Sequence, residues 1–413
     1  MPMTDRLRII VSGMVAGDPH QGGATWAVLQ YVLGLRELGH DVHLIEPIAA
    51  RSIRPAGVAL TDSDNAVYFA DVVARFDLVG RAALVHQDTR ETVGAPYADL
   101  VGTARRADLL VNISGMLTDP EMFEPIPRRV YLDLDPAFNQ LWHAVEGIDV
   151  HFAGHTHYVT VGSEIGGSRC TVPTCGLSWW PTLQPVVLTH WRATAGKPEA
   201  AWTTVGNWRG YGSIAAGGVH YGQKAHSMRR FMELPRQSSI RFRLAMSIHA
   251  GEVRDLESLA RAGWDLVNPA AVAGTPAQYQ TFIQQSKGEL GIAKSGYVES
   301  QCGWFSDRSV CYLASGRPVV AQDTGFSSRV PVGEGLLAFR TIEEAIAALE
   351  TVERRYEAQC RRAREIAESY FDSKRVLTQL LDHVNCATER VGPTTSPVGD
   401  HAVASNHPSW DAN

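Results

Sequence analysis

The segment 288–339 constrains the fold of this chain more than any other. It reads G-E-L-G-I-A-K (288–294), then G-W-F-S-D-R-S-V-C-Y-L-A-S-G-R-P-V-V-A-Q-D-T-G-F (303–326) and V-G-E-G-L-L-A-F (332–339). The order is strand, loop, short helix, strand, loop, short strand, which suits a parallel α/β sheet whose loops face a ligand at the carboxyl ends of its strands. Ser306 is placed as an N-cap with Asp307 in the first turn, so a helix over 307–314 aims its free amides and dipole at the Gly303 loop. A helix start of this kind binds anions. Gly316 ends the helix, Pro318 prevents its continuation, and Val319-Val320-Ala321 is a buried strand that delivers Asp323, Thr324 and Gly325 to the same rim.

One such half does not account for 413 residues, a length that supports two domains, each with its own core. With 45% hydrophobic and 20% charged residues the chain is globular, and a net charge of −6 argues against a nucleic-acid partner held through its phosphates. The first residues lead into a short apolar strand without a signal-peptide core, and no apolar run approaches the roughly 18 residues of a spanning helix. The expectation is a cytoplasmic enzyme with no membrane span. Six scattered cysteines form no C-x-x-C pair; Cys170-x4-Cys175 reads better as buried thiols than as a redox pair or half a zinc site.

The chain opens with a buried strand at 8–11, a loop over 12–23 carrying Gly13, Gly17, Gly22 and Gly23, a helix over 24–38 and a second strand at 41–45. These glycines do not spell G-x-G-x-x-G, so a dinucleotide fingerprint is absent; the Gly22-Gly23 pair lets something bulky approach the helix start. Further strands are expected at 107–113, 129–134, 149–153 and 158–161. Pro-rich sequence at 170–185 marks a junction between about 180 and 200. The second half restarts as a strand at 201–205, then a helix over 223–233, a strand at 242–248, a helix over 252–262 and a strand at 265–267. Amphipathic helices are expected over 343–351 and 352–368, and a last one, capped by Asp372 or Ser373, ending near Val384; a tail without periodicity follows.

Two Rossmann-like halves, a Gly-Gly loop after the first strand and a G-x-P-V-V strand in the second half together resemble the bacterial glycosyltransferases of the GT-B architecture. The runs T-T-V-G-N-W (203–208), Y-G-Q-K (221–224), G-W-F-S-D-R (303–308), Y-L-A-S-G-R-P-V-V (312–320), Q-D-T-G-F (322–326) and G-E-G-L-L-A-F (333–339) carry the likeness. The resemblance implies an α/β fold of two Rossmann-like domains facing across a cleft: 1–190 for the acceptor, 191–350 for the nucleotide-sugar donor, 351–387 as helices returning to the first domain, and 388–413 as a disordered tail. It implies transfer of a sugar from a nucleotide-sugar donor to an acceptor, with the donor as co-substrate and no cofactor. One departure matters. The large retaining group of this fold carries two glutamates eight residues apart, the second five residues before the Gly of G-x-P; here those positions are Gly303 and Cys311.

Glycosyl transfer needs charge neutralisation on the departing diphosphate, a held donor sugar and, where configuration inverts, a base for the acceptor hydroxyl. Lys224, Lys294 and Arg308, with the amides around Ser306, are candidates for the diphosphate; surface placement is the alternative for each cation. Asp323, Thr324 and Gly325 are candidates for the donor sugar, against a turn built by Asp and Gly. Glu334, between two glycines, is a candidate for a ribose or sugar contact. Trp208 and Trp304 suit stacking on a base or sugar, or anchoring a core. His20, in the loop after the first strand, is the leading candidate base because an inverting member of this fold uses a histidine or aspartate from the first domain. Asp135 of D-L-D-P (133–136) is its rival. No metal is expected at this pair, and His151, His155 and His157 lack an evident fourth zinc ligand. An epimerase or hydrolase on the same scaffold, or a non-catalytic sugar-nucleotide-binding subunit, remains an alternative.

Overall fold

A computed structural model describes residues 6–388. The first sheet contains β1 (Arg8–Ser12), β2 (Asp41–Ile48), β3 (Ala82–His86), β4 (Thr92–Gly94), β5 (Leu109–Ile113), β6 (Arg128–Asp133), β7 (His157–Thr160) and β8 (Trp179–Pro181). Its order is β4-β3-β2-β1-β5-β6-β7-β8, parallel throughout except for the short β4. A second, smaller unit follows: β9 (Trp202–Asn207), the antiparallel hairpin β10 (Ile214–Ala216) and β11 (Val219–Tyr221), then β12 (Phe242–Ser247), β13 (Asp265–Val267), β14 (Gly288–Gly291), β15 (Val319–Gln322) and β16 (Leu336–Phe339). Its sheet is parallel in the order β13-β12-β9-β14-β15-β16. Counted within itself, that sheet runs 3-2-1-4-5-6, and the switch point, where a doubly wound sheet opens a crevice for a ligand, falls between β9 and β14.

Strands buried on both faces explain the short apolar runs: Ile9, Val11, Leu44, Val111 and Leu132 fill the first core, and Trp202, Leu244, Leu290 and Val320 the second. The expected strand at 149–153 is a loop, because its apolar residues pack one by one; Phe152 lies against Tyr131 and Trp179 rather than in a ladder. Conversely, Trp179–Pro181, read as linker, forms the edge strand β8, where proline costs no ladder bond.

The final helix, Ser373–Thr388, returns to the first domain. It packs against helix Gly22–Glu37, where a Cβ at Gly34 would lie 2.6 Å from Leu377. The two crossing strands of chain lie side by side, with Val186 N donating to Phe371 O at 2.7 Å and Ser373 N to Val186 O at 2.9 Å. The expected tail from 389 onwards lies outside the described residues, as do residues 1–5. Gly22 and Gly23 do admit a bulky neighbour, and it is the second domain: a Cβ at Gly22 would sit 2.3 Å from Thr275 O, and one at Gly23 2.8 Å from the Tyr279 ring. Trp26 Nε1 donates to Pro276 O across the same contact at 2.9 Å.

Candidate functional site

The β9–β14 switch point is physically split. β9 pairs with β12 over six residues but with β14 over only Gly288↔Trp202 and Glu289↔Thr203, after which the strands diverge. Arg308 bridges the split: its Nε donates to Glu289 Oε1 at 2.6 Å and its Nη1 to Val205 O at 3.1 Å. It is placed there because Ser306 caps helix Asp307–Ala314, accepting from Arg308 N at 3.2 Å, so the helix starts at the crevice. Against the cost of burial, the Glu289 carboxylate holds the Arg308 guanidinium above its ordinary value.

Lys224 stands over the same point. A Cβ at Gly206 would lie 3.5 Å from Lys224 Nζ and 3.8 Å from Arg308 Nη1, so both cations converge where β9 has no side chain. The lysine is 7% exposed, yet among the described residues it makes no hydrogen bond or ion pair. Burial, reinforced by Arg308, pulls its pKa well below 10.5. Glu289 is engaged by Arg308, so the ammonium of Lys224 has no anion in direct contact in a low-dielectric crevice, a site that favours an anionic ligand. Asp307, half-buried, faces this crevice from the first turn; burial raises its pKa, with Arg308 opposing.

Lys294 follows β14 and meets Asp135 across the domain boundary. Its Nζ lies 3.3 and 3.1 Å from the two carboxylate oxygens, and the hydroxyls of Tyr211 and Tyr297 also donate to them. Three rings surround the ammonium, with centroids 4.0 Å (Tyr211), 5.0 Å (Phe138) and 5.2 Å (Tyr297) away. Trp304 stacks on Tyr297 at 4.3 Å. Burial lowers the Lys294 pKa, with Asp135 opposing. Both oxygens of Asp135 thus already hold two donors each, which leaves no basic lone pair for an acceptor hydroxyl in this arrangement. Its neighbour Asp133 is wholly internal, accepting from Asn139, Gln140 and Thr160, and burial pushes it up to about 6.

The other expected residues separate. Asp323 is 3% exposed and its carboxylate accepts from Gly325 N, Ser327 and Arg340, while Thr324 donates to Trp304 O and its carbonyl accepts from Gly303 N. Gly325 supplies a left-handed φ of 98°. All three build the turn that holds the 303–306 loop, and the Asp323 and Thr324 side chains are engaged in positioning the crevice wall. The Gly303 end of that loop is not an open cradle either, since Ser163 Oγ donates to Gly303 O at 3.1 Å from the first domain. Glu334 precedes β16, at the amino-terminal edge of a parallel sheet, and pairs there with Arg355 and Arg362. A residue before a strand lies on the opposite rim from the ligand, so Glu334 leaves the candidate set. Trp208 is a core anchor, with Nε1 donating to Asp255 at 2.9 Å. His20 is exposed with a left-handed φ of 65°, its ring edge-on to Tyr68 at 5.3 Å. The residue sequence reasoning missed is Glu289, fully buried on a strand; an acidic residue in an otherwise apolar G-E-L-G run was the available signal.

The space at the ends of β14 and β15, lined by Ala293, Trp304, Ser306 and Arg308, is about 10 Å³. A larger cavity of about 630 Å³ lies at the opposite edge, between the starts of β9 and β12 and helix Pro276–Gln284, away from the converging cations. Among the described residues no group of three or more His, Cys, Asp or Glu is arranged for a metal, and no helix is long and apolar enough to cross a membrane.

Solved structures share the fold. A glycosyltransferase from Rickettsia africae matches over 94% of this chain and 100% of its own at 10% identity and a TM-score of 0.52. Anabaena HepE in complex with UDP-glucose matches over 92% and 100% at 12% identity and 0.57. An alpha-glucosyltransferase in complex with UDP matches over 92% and 100% at 11% identity and 0.56. The fold is that of the GT-B glycosyltransferases. No protein-family model and no curated protein sequence matches the chain.

Proposed function

We propose that this chain is a glycosyltransferase that moves a sugar from a nucleotide-sugar donor to an acceptor, with the donor seated on the second domain. The observation that carries it is the buried, unpartnered Lys224 converging with Arg308 at the β9–β14 switch point. A diphosphate there restores the charge balance that burial disturbs, and the same two cations stabilise it as it departs. The free amides at the start of helix Asp307–Ala314 add to that field. The neighbours solved with UDP or UDP-glucose make a uridine diphosphate sugar the first donor to test.

On the acceptor side, His20 is the base we carry forward, because Asp135 is held by Lys294 and two phenols. Gly303 and Cys311 stand where retaining members hold glutamates, which favours either an inverting reaction or the second reading, a binding subunit without turnover. A cytoplasmic, metal-independent enzyme remains our reading. The charge-based argument against a nucleic-acid partner does not bind the acceptor, since an alpha-glucosyltransferase of the same fold was solved with UDP and a 13-mer DNA.

The test is calorimetric titration with UDP, UDP-glucose and other nucleotide sugars, followed by donor hydrolysis and transfer assays. Binding in the micromolar range, lost in Lys224→Met, supports the reading. Binding that survives this substitution unchanged refutes it. Donor binding without turnover in any assay selects the binding subunit.

A further inference from the structure

A layer of helices packed on a sheet leaves few voids larger than a water molecule. The cavity of about 630 Å³ at the starts of β9 and β12 breaks that rule, and its size falls in the range of small-molecule sites, roughly 300–1,000 Å³. Small side chains make it. Alanine stands at 200 and 201 on the chain entering β9 and at 277 in the first turn of helix Pro276–Gln284, so nothing bulky fills the gap between strand and helix. The helix has two faces: Tyr279 packs on Gly23 of the first domain and Pro276 O accepts from Trp26, whereas Ala277 and Thr281 line the cavity. The nucleotide crevice lies at the other end of β9, over Gly206.

The floor of the cavity is chemically closed. The Tyr312 hydroxyl and Thr203 Oγ1 lie 2.6 Å apart, Thr203 donates to Ser286 Oγ at 2.6 Å, and Ser286 donates to Phe282 O at 2.7 Å, so each hydroxyl proton in the chain is spent. The walls at Ala200, Ala201, Val272, Ala277 and Phe282 are carbon, which suits an occupant with an apolar body. The rim differs. Arg241 and Arg243, two residues apart, both reach it. Arg243 is answered across the ladder by Asp265 at 2.6 Å, whereas Arg241 makes no ion pair among the described residues and spends an Nη2 proton on the Glu199 carbonyl. The Glu199 side chain shares the exposed rim but pairs with neither arginine among the described residues, and water screens it there. Arg241 therefore keeps donors for a planar anion. We propose that this cavity binds a small amphipathic acid, with a ring or short chain seated against the alanines and Phe282 and one acidic group on Arg241. A neutral apolar molecule would leave Arg241 unused, and the test separates the two.

The experiment uses the full chain and two acids of that class: anilinonaphthalene sulfonate, which fluoresces in an apolar site, and octanoate as its competitor, with octanol as the uncharged control. Wild type should bind one sulfonate per chain, and octanoate should displace it at lower concentration than octanol. Ala277→Trp fills the cavity from the helix and should weaken sulfonate binding at least tenfold. Arg241→Gln should weaken sulfonate and octanoate about fivefold, as the loss of an exposed ion pair does, and leave octanol unchanged. Excess UDP should leave the sulfonate in place. Absence of sulfonate binding, undiminished binding to an Ala277→Trp protein that melts cooperatively, or displacement by UDP overturns the site. Equal octanoate affinity in Arg241→Gln overturns the acidic ligand. Should Ala277→Trp not fold, Thr281→Trp, at an exposed position on the rim, takes its place with the same two outcomes. If UDP does not bind at all, the nucleotide-binding reading fails while the sulfonate titrations still decide the cavity.

Discussion

Replacing Lys224 by Met should make the protein more stable while disabling it as a nucleotide binder. The methionine chain fills nearly the volume of the lysine stem, so little packing is lost, and the substitution removes an ammonium that is 7% exposed and has no partner among the described residues. Leaving such a group buried and unsatisfied costs about 1–3 kcal/mol, so the variant should gain about that much, seen as a Tm rise of roughly 2–4 °C per kcal/mol in a domain of this size. The gain depends on pH with a definite sign. Burial lowers the Lys224 pKa below 10.5, so between that lowered value and 10.5 the unfolded chain binds more protons than the folded one, and wild-type stability rises with pH across that window. The advantage of Lys224→Met is therefore largest below the window and shrinks towards pH 10.5. UDP binding should weaken at least thirtyfold, since truncating a buried charge partner costs about 2–5 kcal/mol. A variant that melts below wild type at pH 6 and binds UDP as tightly would refute the reasoning.

Other parts of the structure give further expectations. Glu46 is fully buried and accepts from Ala16 N and Gly17 N, and burial pushes it up from 4.5 to about 7. Its contribution to stability is greatest below pH 4.5 and falls by roughly 3 kcal/mol as pH rises to 7, and Glu46→Gln should flatten that slope in urea titrations at successive pH values. Glu334→Ala removes only exposed pairs with Arg355 and Arg362 at the far rim, so stability should fall by about 0–1 kcal/mol and nucleotide affinity should hold within twofold. Gly22→Ala drives a methyl into the Thr275 carbonyl at the inter-domain contact and should cost about 1–3 kcal/mol, measurable as a lower melting temperature; an unchanged melt would show that contact to be loose.

Local punctuation was the legible part. Ser306, Gly316 and Pro318 bound a helix and a strand where they were expected, and the Val319–Gln322 run is buried on both faces as its composition implies. Spacing along the chain carried less about which rim a loop occupies. Glu334 looked like a ligand contact because glycines flank it, yet Gly335 is there for helix Tyr356–Ile366, whose Ala363 N would be 2.3 Å from an added Cβ. The Gly22-Gly23 pair did mark a close approach, but not what approaches, which only the folded chain shows to be Thr275 and Tyr279. Lys224 and Lys294 read alike in sequence, and only the folded chain tells them apart: one is buried without a partner, the other is answered from the opposite domain. That pairing joins residues 159 positions apart, which no local pattern encodes.

The most direct test of the central claim is the structure of the protein with UDP bound. The account places the diphosphate at the carboxyl end of β9, over Gly206, within hydrogen-bonding distance of Lys224 Nζ and the Arg308 guanidinium. A nucleotide seated elsewhere, with Lys224 still unpartnered, would contradict it.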